Sequence, residues 1–282
     1  MAVSRKLHMI VGSQLDSETL NFNTDPLSSM PAENMQSSDA DLITRIPASS
    51  ASITFSLAGL AQVASGFAIA GHNLPYVDGT VRVRLYEDAN QTGTVNVDSQ
   101  DLPVATKITL GAFRAGVHRV GQTYDESVDL PRIVRYWFDE PVAYRSGQID
   151  ITAPGATEID IGRLFLGLAF VPNWNFSWGR KFQLIDPSEH TRTEAGGSKT
   201  EKRRAYRRFE FNLDWLDEAD RERLYIELSR NGKAQDMLVS LDPDRPGVMG
   251  LVESMIAKRV NDYSDSFTHV NTYQSSLVLE EV

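Results

Sequence analysis

Residues 147–162 read GQIDITAPGATEIDIG, and apolar residues alternate with polar ones on both sides of a Pro-Gly pair. The repeated apolar residues are Ile149, Ile151, Ile159 and Ile161. A period of two is typical of a strand that buries one face, because successive side chains point to opposite sides. The Pro-Gly pair supplies turn chemistry. The stretch therefore predicts two β-strands joined as a hairpin.

The same pattern extends outward from this stretch to residues 51–172. In TVRVRLYED at 80–88, Val81, Val83 and Leu85 alternate with polar or amphipathic residues. Other short apolar runs, separated by turn residues, are SITFSLAG, GFAIAGHN, TKITLGAF and RIVRYWFDEP. Short strands at this spacing favour an antiparallel sandwich. We therefore predict a mainly β protein with a β-sandwich domain over 51–172.

The first 50 residues have a different composition. Residues 11–50 are rich in Ser, Asp and Asn, contain three prolines and show no helical or strand period. Five of its apolar residues are spaced like anchors for an arm lying on a neighbouring surface: Leu15, Leu20, Phe22, Leu27 and Met30. The segment predicts an extended N-terminal arm over 1–50 that becomes ordered in an assembly. A solvated, disordered tail is the alternative.

A Pro-Asn break at 172–173 predicts the start of a second domain over 173–282. Two strands there form a long hairpin around EAGGSKT at 194–200, and one α-helix follows. Asp217 is a good N-cap for this helix, and the Asn231-Gly232 pair ends it. Three further strands complete the domain. Trp174, Phe176 and Trp178 are predicted to lie where the two domains join.

Composition excludes several classes of function. A formal net charge of −10 argues against broad binding to a polyanion, because such binding needs many contacts between basic side chains and phosphates. The 282 residues include no cysteine, which excludes disulfides, thiolate zinc sites and cysteine nucleophiles. No apolar run has the roughly 18–20 residues of a membrane helix, so neither membrane insertion nor a secretory signal is expected.

Motifs for catalysis are also missing. The histidines, His8, His72, His118, His190 and His269, are too far apart in sequence to form a helical metal pair. The chain lacks G-x-S-x-G, Walker A and G-x-G-x-x-G motifs. We therefore expect no enzyme activity, no cofactor and no metal site. Asp150 and Asp160, across the predicted hairpin, are the acid pair left for a third hypothesis, a glycoside hydrolase.

A basic cluster interrupts this acidic chain. Residues 198–211 read SKTEKRRAYRRFEF, and a strand here carries charge on both faces. Because a buried sheet does not tolerate such charge, the outer half of the hairpin is expected to project or to meet acidic groups of a partner. The residues predicted for contacts between subunits or in the lumen of a ring are Arg203, Arg204, Arg207 and Arg208. A solvated hairpin is the alternative, and sequence-specific nucleic acid binding is not expected.

Aromatic residues of the sandwich suggest a second kind of site. Tyr76, Tyr86 and Trp137 are candidate carbohydrate contacts, since an apolar sugar face packs well on an aromatic ring. The same residue types are common in cores and at interfaces, which is the alternative for each of them.

The end of the sandwich and the start of the second domain together resemble a known family. The runs RYWFDEP, GQIDITAPGATEIDIGRLFLG and WNFSWG, followed by RRFEFNLDWLDEADRERLYIELSRNGKAQDMLVSLDPD, are similar to distal tail proteins of long-tailed bacteriophages. The resemblance covers roughly residues 130–245. It implies a galectin-like or discoidin-like sandwich followed by a ring-forming domain with the tail-tube fold. In that family the ring-forming domain usually comes first, so the domain order differs here.

The resemblance also implies a function. It predicts a virion structural protein, made in the host cytoplasm, that forms a homo-oligomeric ring, commonly a hexamer, in the baseplate or tail tip. Its neighbours would be tail-tube and tail-tip proteins. The alternative function is a carbohydrate-binding or receptor-binding protein of the tail tip, with a host-surface glycan as its partner.

Overall fold

A computed structural model describes residues 6–39, 41–104, 115, 131–192, 197–245 and 247–282. The described residues form a mainly β protein, as predicted, with twenty strands and two α-helices. In chain order these are β1 (His8–Val11), β2 (Leu20–Phe22), β3 (Thr44–Ile46), β4 (Ser50–Ser56), β5 (Gln62–Ala70), β6 (Thr80–Tyr86), β7 (Val95–Asp98), β8 (Leu102–Pro103), β9 (Ile133–Tyr144), β10 (Ser146–Thr152), β11 (Ile159–Ile161), β12 (Arg163–Gly167), β13 (Lys181–Ile185), β14 (Glu189–Arg192), β15 (Ser198–Glu201), β16 (Tyr206–Leu216), α1 (Glu218–Asn231), β17 (Met237–Ser240), α2 (Val248–Val252), β18 (Ser254–Arg259), β19 (Asp265–His269) and β20 (Thr272–Glu281). The predicted strand TKITLGAF and His118 lie outside the described residues.

The chain divides into two compact units. Unit 1 contains Met1–Val171 and Met237–Met255, and unit 2 contains Pro172–Asp236 and Ile256–Val282. No helix in the described part of the chain is both long enough and apolar enough to cross a membrane.

Unit 1 is a β-sandwich, which confirms that prediction. One sheet has the strand order β2-β4-β10-β6-β7, with β8 added beside β6. The facing sheet has the order β12-β5-β9. Apolar residues from both sheets form a single buried core, to which Phe55, Val83 and Ile149 contribute from the first sheet and Phe67 and Leu166 from the second. The alternating pattern therefore selects the buried faces of β6 and β10 correctly.

The hairpin predicted for 147–162 does not form. Strand β10 pairs with β4 on one side and with β6 on the other, so both of its edges are occupied. Strand β11 pairs instead with β3. The four isoleucines are nevertheless all buried. Alternation records which face of a strand is buried but carries no information about which strand lies beside it.

The N-terminal residues pack on their own chain, which corrects the prediction of an arm for a neighbouring copy. Leu15 and Met35 lie in two 3-10 helices, Gln14–Ser17 and Ala32–Gln36, and both are fully buried in the sandwich core. Ser13 Oγ accepts a hydrogen bond from the Leu166 amide. The segment thus covers the free edge of β12 and satisfies backbone groups there, which explains why a polar sequence becomes ordered.

A further pair of strands packs on the outer face of the smaller sheet. Strand β1 pairs with β17, and Ile10 of β1 lies over two glycines of the sheet, Gly66 and Gly167. A side chain at Gly66 or Gly167 would approach Ile10 to 3.1 or 2.8 Å. The glycines therefore let β1 come close to the sheet.

Unit 2 contains the predicted hairpin and helix. Strand β13 pairs with β16, and β14 pairs with β15, so the long hairpin is confirmed. Strand β16 also pairs with β20, which in turn pairs with β19 and with Ala257–Arg259 of β18. Asp217 caps α1 by accepting a hydrogen bond from the Asp220 amide, as predicted, and Gly232, with φ of 63°, ends it.

One element differs from prediction, and the place predicted for three aromatic residues stays a prediction. The strand expected at about 250–260 begins as the short helix α2 and becomes β18 only at Ser254. Trp174 and Trp178, expected at a domain join, are exposed by 68% and 103%. Phe176 packs within unit 2, with its ring 5.7 Å from that of Phe211.

Candidate ligand-binding site

Unit 1 has a cavity of about 400 Å³ beside the first half of β9. Its other walls are formed by β8 with Val104 and by five residues of the turn after β17 and of α2: Pro243, Asp244, Arg245, Gly247 and Leu251. Its polar and aromatic lining residues are Arg135, Tyr136, Trp137, Asp244 and Arg245. A volume of this size with a few polar groups among aromatic and aliphatic ones is typical of a small-molecule site.

Trp137 is one of two aromatic residues that line the cavity. It pairs with Gly66 across the sheet, and a Cβ atom at Gly66 would lie only 2.4 Å from Trp137 Cε3. The missing side chain at Gly66 thus makes room for the indole ring. The centre of the His8 ring lies 5.0 Å from the centre of the indole ring, and the two ring planes are tilted by 57°. Trp137 Nε1 has no hydrogen-bond acceptor among the described residues.

Arg135 lies two residues before Trp137, on the same face of β9. Its Nη2 donates to the Pro243 carbonyl oxygen at 3.4 Å, whereas its Nε has no acceptor among the described residues. Burial lowers the pKa of Arg135 to about 10, although three nearby carboxylates, Asp242, Asp244 and Glu253, oppose the change. The guanidinium is therefore charged at neutral pH and presents hydrogen-bond donors.

The turn after β17 supplies the charges on the opposite wall. Asp244 is exposed, and Arg245 Nη1 donates to Glu253 Oε1 at 2.8 Å. A Cβ atom at Gly250 would lie only 2.0 Å from the Arg245 carbonyl oxygen. A glycine is therefore required for the backbone of α2 to approach the turn this closely. This turn reads DPDRPG at residues 242–247, and no site was predicted there from sequence. The two acidic residues and the arginine of this stretch were the features of the sequence that could have indicated a site.

Of the three predicted carbohydrate contacts, only Trp137 reaches this cavity. Tyr76 belongs to the sandwich core, with the Arg132 guanidinium 4.3 Å from its ring centre. Tyr86 is also buried. Neither ring presents an open face to a sugar, which corrects these two assignments. The core position given from sequence as the alternative applies to both residues, because aromatic residues in alternating strands fit the core as well as a surface.

The candidate acid pair is not a pair. Asp160 accepts two hydrogen bonds from Arg45, at 2.7 and 2.8 Å, on the small β3-β11 sheet. Asp150 lies on β10, in a different sheet, and is bound by Ser52, Gln148 and Arg84. Burial raises the pKa of Asp150, but these hydrogen bonds outweigh it and the pKa lies below its usual value. Both acids have structural partners.

The predicted contact arginines are also engaged within the chain. Arg207 is buried and donates to both carboxylate oxygens of Glu281, and Arg208 contacts Glu210 and Glu280. Burial raises the pKa of Glu281, but its contacts with Arg207 prevail and hold the pKa below its usual value.

The other two arginines lie nearer the hairpin tip. Arg203 contacts Glu189 and Glu201, and Arg204 is exposed. The charge predicted for both faces of β16 is therefore accommodated by acids of the same chain. In the described ranges, no group of three or more His, Asp or Glu side chains could hold a metal ion.

Comparison with known proteins gives structural similarities only. No family model and no curated protein matches the chain. A family 32 carbohydrate-binding module from C. perfringens NanJ, in complex with galactose, is 15% identical with a TM-score of 0.36, covering 56% of this chain and 98% of the module. A Streptococcus pneumoniae fucose-binding module is 7% identical with a TM-score of 0.34, over 54% and 91% of the two chains.

An enzyme structure is also similar over part of its length. A Ruminococcus gnavus GH29 fucosidase in complex with fucose is 9% identical with a TM-score of 0.37, over 55% of this chain and 26% of the enzyme. Similarity at these levels assigns no function to this chain.

Proposed function

We propose that this protein binds carbohydrate through the cavity of unit 1. The observation that carries the proposal is the meeting of an indole ring, a buried guanidinium and an exposed carboxylate around one space of about 400 Å³. A sugar ring has apolar C–H faces and a rim of hydroxyl groups, and the cavity offers a partner for each.

Each lining group has a distinct role in this proposal. The Trp137 ring packs against the C–H face of the sugar. The Arg135 guanidinium donates hydrogen bonds to sugar oxygens, and the Asp244 carboxylate accepts hydrogen bonds from hydroxyl groups. Hydrogen bonds to charged groups are stronger than those between neutral groups, so Arg135 and Asp244 would determine which sugar is bound.

A glycan array with the full chain, followed by calorimetry on the best ligand, tests the proposal. We expect Asp244→Ala to weaken binding by about tenfold to a hundredfold, because a charge-assisted hydrogen bond is lost. Asp244 is exposed, so the variant should fold normally. Asp41→Ala, at an exposed acid outside the cavity lining, is the matched control and should bind like the wild type.

Two outcomes would contradict this function. One is a wild-type chain that binds no glycan on a broad array. The other is a ligand that Asp244→Ala and Trp137→Ala both bind as tightly as the wild type, provided that the Trp137 variant keeps its melting temperature.

A second candidate function is a structural subunit of a homo-oligomeric assembly, such as the tail-tip ring that the resemblance implies. The observation that favours it is the outer hairpin, in which all eight residues of β14 and β15 are exposed. Arg203 and Arg204 lie directly beyond β15 and are also exposed. An exposed two-stranded ribbon is marginally stable by itself, so contact with a neighbouring copy would stabilise it.

Charge reversal at Arg203 and Arg204 separates this candidate from a solvated hairpin. If the hairpin contacts acids of a neighbour, the double change to Glu should prevent ring assembly and leave a folded chain, because both side chains are exposed. Negative-stain images and mass measurement report the copy number. Arg207→Glu is unsuitable here, since it would disrupt the Glu281 contact inside the chain. Normal rings from the double variant would rule out this contact.

A further inference from the structure

Strand β13 leaves part of the core face of unit 2 uncovered. Phe182 and Leu184 pair with Phe209 and Arg207 of β16, so all four side chains point to the same face of the sheet. Phe209 and Arg207 are buried, at 0% and 6% exposure, whereas Phe182 and Leu184 are exposed by 42% and 68%. The apolar face therefore continues onto β13, but the described residues of this chain do not cover it there.

The outer edge of β13 is also open. It is the last strand in its sheet, and no described strand pairs with its second edge. Natural edge strands are usually protected by charged residues, proline or bulges. The centre of β13, Phe182-Gln183-Leu184, has none of these, and its register with β16 is regular. An unprotected edge with apolar side chains on the core face suits the addition of another strand.

The sequence around β13 is complementary to itself in reverse. Residues 180–186 read RKFQLID. In an antiparallel pairing centred on Gln183, Phe182 of one copy faces Leu184 of the other, and Arg180 faces Asp186. Both the apolar pair and the opposite-charge pair occur twice, as two-fold symmetry requires. On the other face Lys181 faces Ile185, so no like charges are opposed.

The flanking charges are placed for these contacts. Arg180 and Asp186 are both exposed and lie one residue outside the two ends of β13. Arg180 stacks over the Phe176 ring at 5.3 Å, which holds its guanidinium beside the sheet. Hydrogen bonds from Ser188 lower the pKa of Asp186, so its carboxylate is negatively charged at neutral pH.

We infer that β13 pairs with β13 of a second copy of this chain, in an antiparallel, two-fold arrangement centred on Gln183. The two sheets then become continuous, and the four side chains of Phe182 and Leu184 form one apolar row closed at each end by an Arg180–Asp186 ion pair. This pairing is independent of the carbohydrate site.

A charge-swap experiment on the full chain tests the register. Sedimentation over a range of concentrations should show a dimer for the wild type. Asp186→Arg places two arginines opposite each other at both ends and should raise the dimer dissociation constant at least about tenfold. Adding Arg180→Asp restores opposite charges at both positions and should restore the dimer. Only pairing in this register predicts that the second change rescues the first.

Leu184→Lys is an independent test of the apolar row. Because Leu184 is exposed in the single chain, the variant should keep the circular dichroism spectrum of the wild type while becoming monomeric. Thr191→Lys on the exposed strand β14 is the matched control and should remain dimeric. A monomeric wild type, failure of the charge swap to restore association, or an oligomer that Leu184→Lys leaves intact would each overturn the inference. The last result would instead indicate assembly through another surface.

Discussion

Asp16→Ala should destabilise unit 1 by about 3–5 kcal/mol, because it leaves a buried guanidinium without its carboxylate. The Arg163 side chain is only 6% exposed, and its Nη2 donates to Asp16 Oδ2 at 2.8 Å. Arg163 also lies 4.7 Å from the Phe165 ring centre and contacts the Met35 carbonyl oxygen. Removing Asp16 should therefore lower the free energy of unfolding by more than the ion pair itself contributes to it. Urea unfolding followed by circular dichroism measures the loss.

Two variants give this prediction its controls. Replacing Arg163 by Met in the Asp16→Ala background removes the orphaned charge and should recover part of the lost stability, as a double-mutant cycle would show. Asp98→Ala breaks a pair of similar geometry, because Asp98 accepts two hydrogen bonds from Arg82. The Arg82–Asp98 pair is more exposed than the Arg163–Asp16 pair, so Asp98→Ala should lower the free energy of unfolding by clearly less than Asp16→Ala does. Equal losses for Asp16→Ala and Asp98→Ala would contradict the proposed cost of burial.

Acid should destabilise the protein through His72. The side chain is buried, and neither ring nitrogen has a hydrogen-bond partner among the described residues. Burial is the main cause that lowers the pKa of His72 from 6.5 to about 3, and the nearby charge of Arg132 contributes. Because the pKa of His72 is lower in the folded state than in the unfolded chain, the unfolded chain becomes protonated at a higher pH. The stability from neutral His72 is therefore complete above pH 6.5 and falls as the pH decreases toward 3.

The size of this effect follows from the pKa difference. The full change corresponds to about 5 kcal/mol, of which about 2 kcal/mol should be lost by pH 5. The leucine side chain of His72→Leu cannot be protonated. Between pH 7.5 and pH 5, the unfolding free energy of this variant should therefore fall by about 2 kcal/mol less than that of the wild type. His190→Leu changes an exposed histidine and should retain the wild-type dependence. A His72→Leu variant with the pH profile of the wild type would contradict the assignment.

Local features of the fold could be predicted from sequence because they depend on neighbouring residues. The period of two selected the buried faces of β6 and β10 correctly. Asp217 and Gly232 bounded α1, since a cap depends on a few adjacent groups. The hairpin of β13 and β16 was also predictable, because the residues between its strands, 186–205, are polar and include a Gly-Gly pair that favours a turn.

The candidate site was only partly predictable. Trp137 was identified from sequence as a candidate carbohydrate contact. Arg135 and Asp244 were not identified as site residues, although they line the same cavity. They are 109 residues apart in the sequence, and only the fold brings the turn after β17 beside β9. The same limit applies to Asp16 and Arg163, whose contact joins a polar N-terminal segment to the edge of β12.

The sequence alone determined that the chain is mainly β, which face of most described strands is buried and where α1 begins and ends. Tertiary structure alone decided which strands are neighbours, which arginines are neutralised within the chain and which aromatic residue meets a cavity. Residue periodicity follows from backbone geometry over a few residues, whereas pairing and burial depend on contacts between distant segments. For this reason the alternating isoleucines of β10 and β11 indicated a strand in each case but did not indicate its neighbours. Strand β10 pairs with β4 and β6, and β11 pairs with β3.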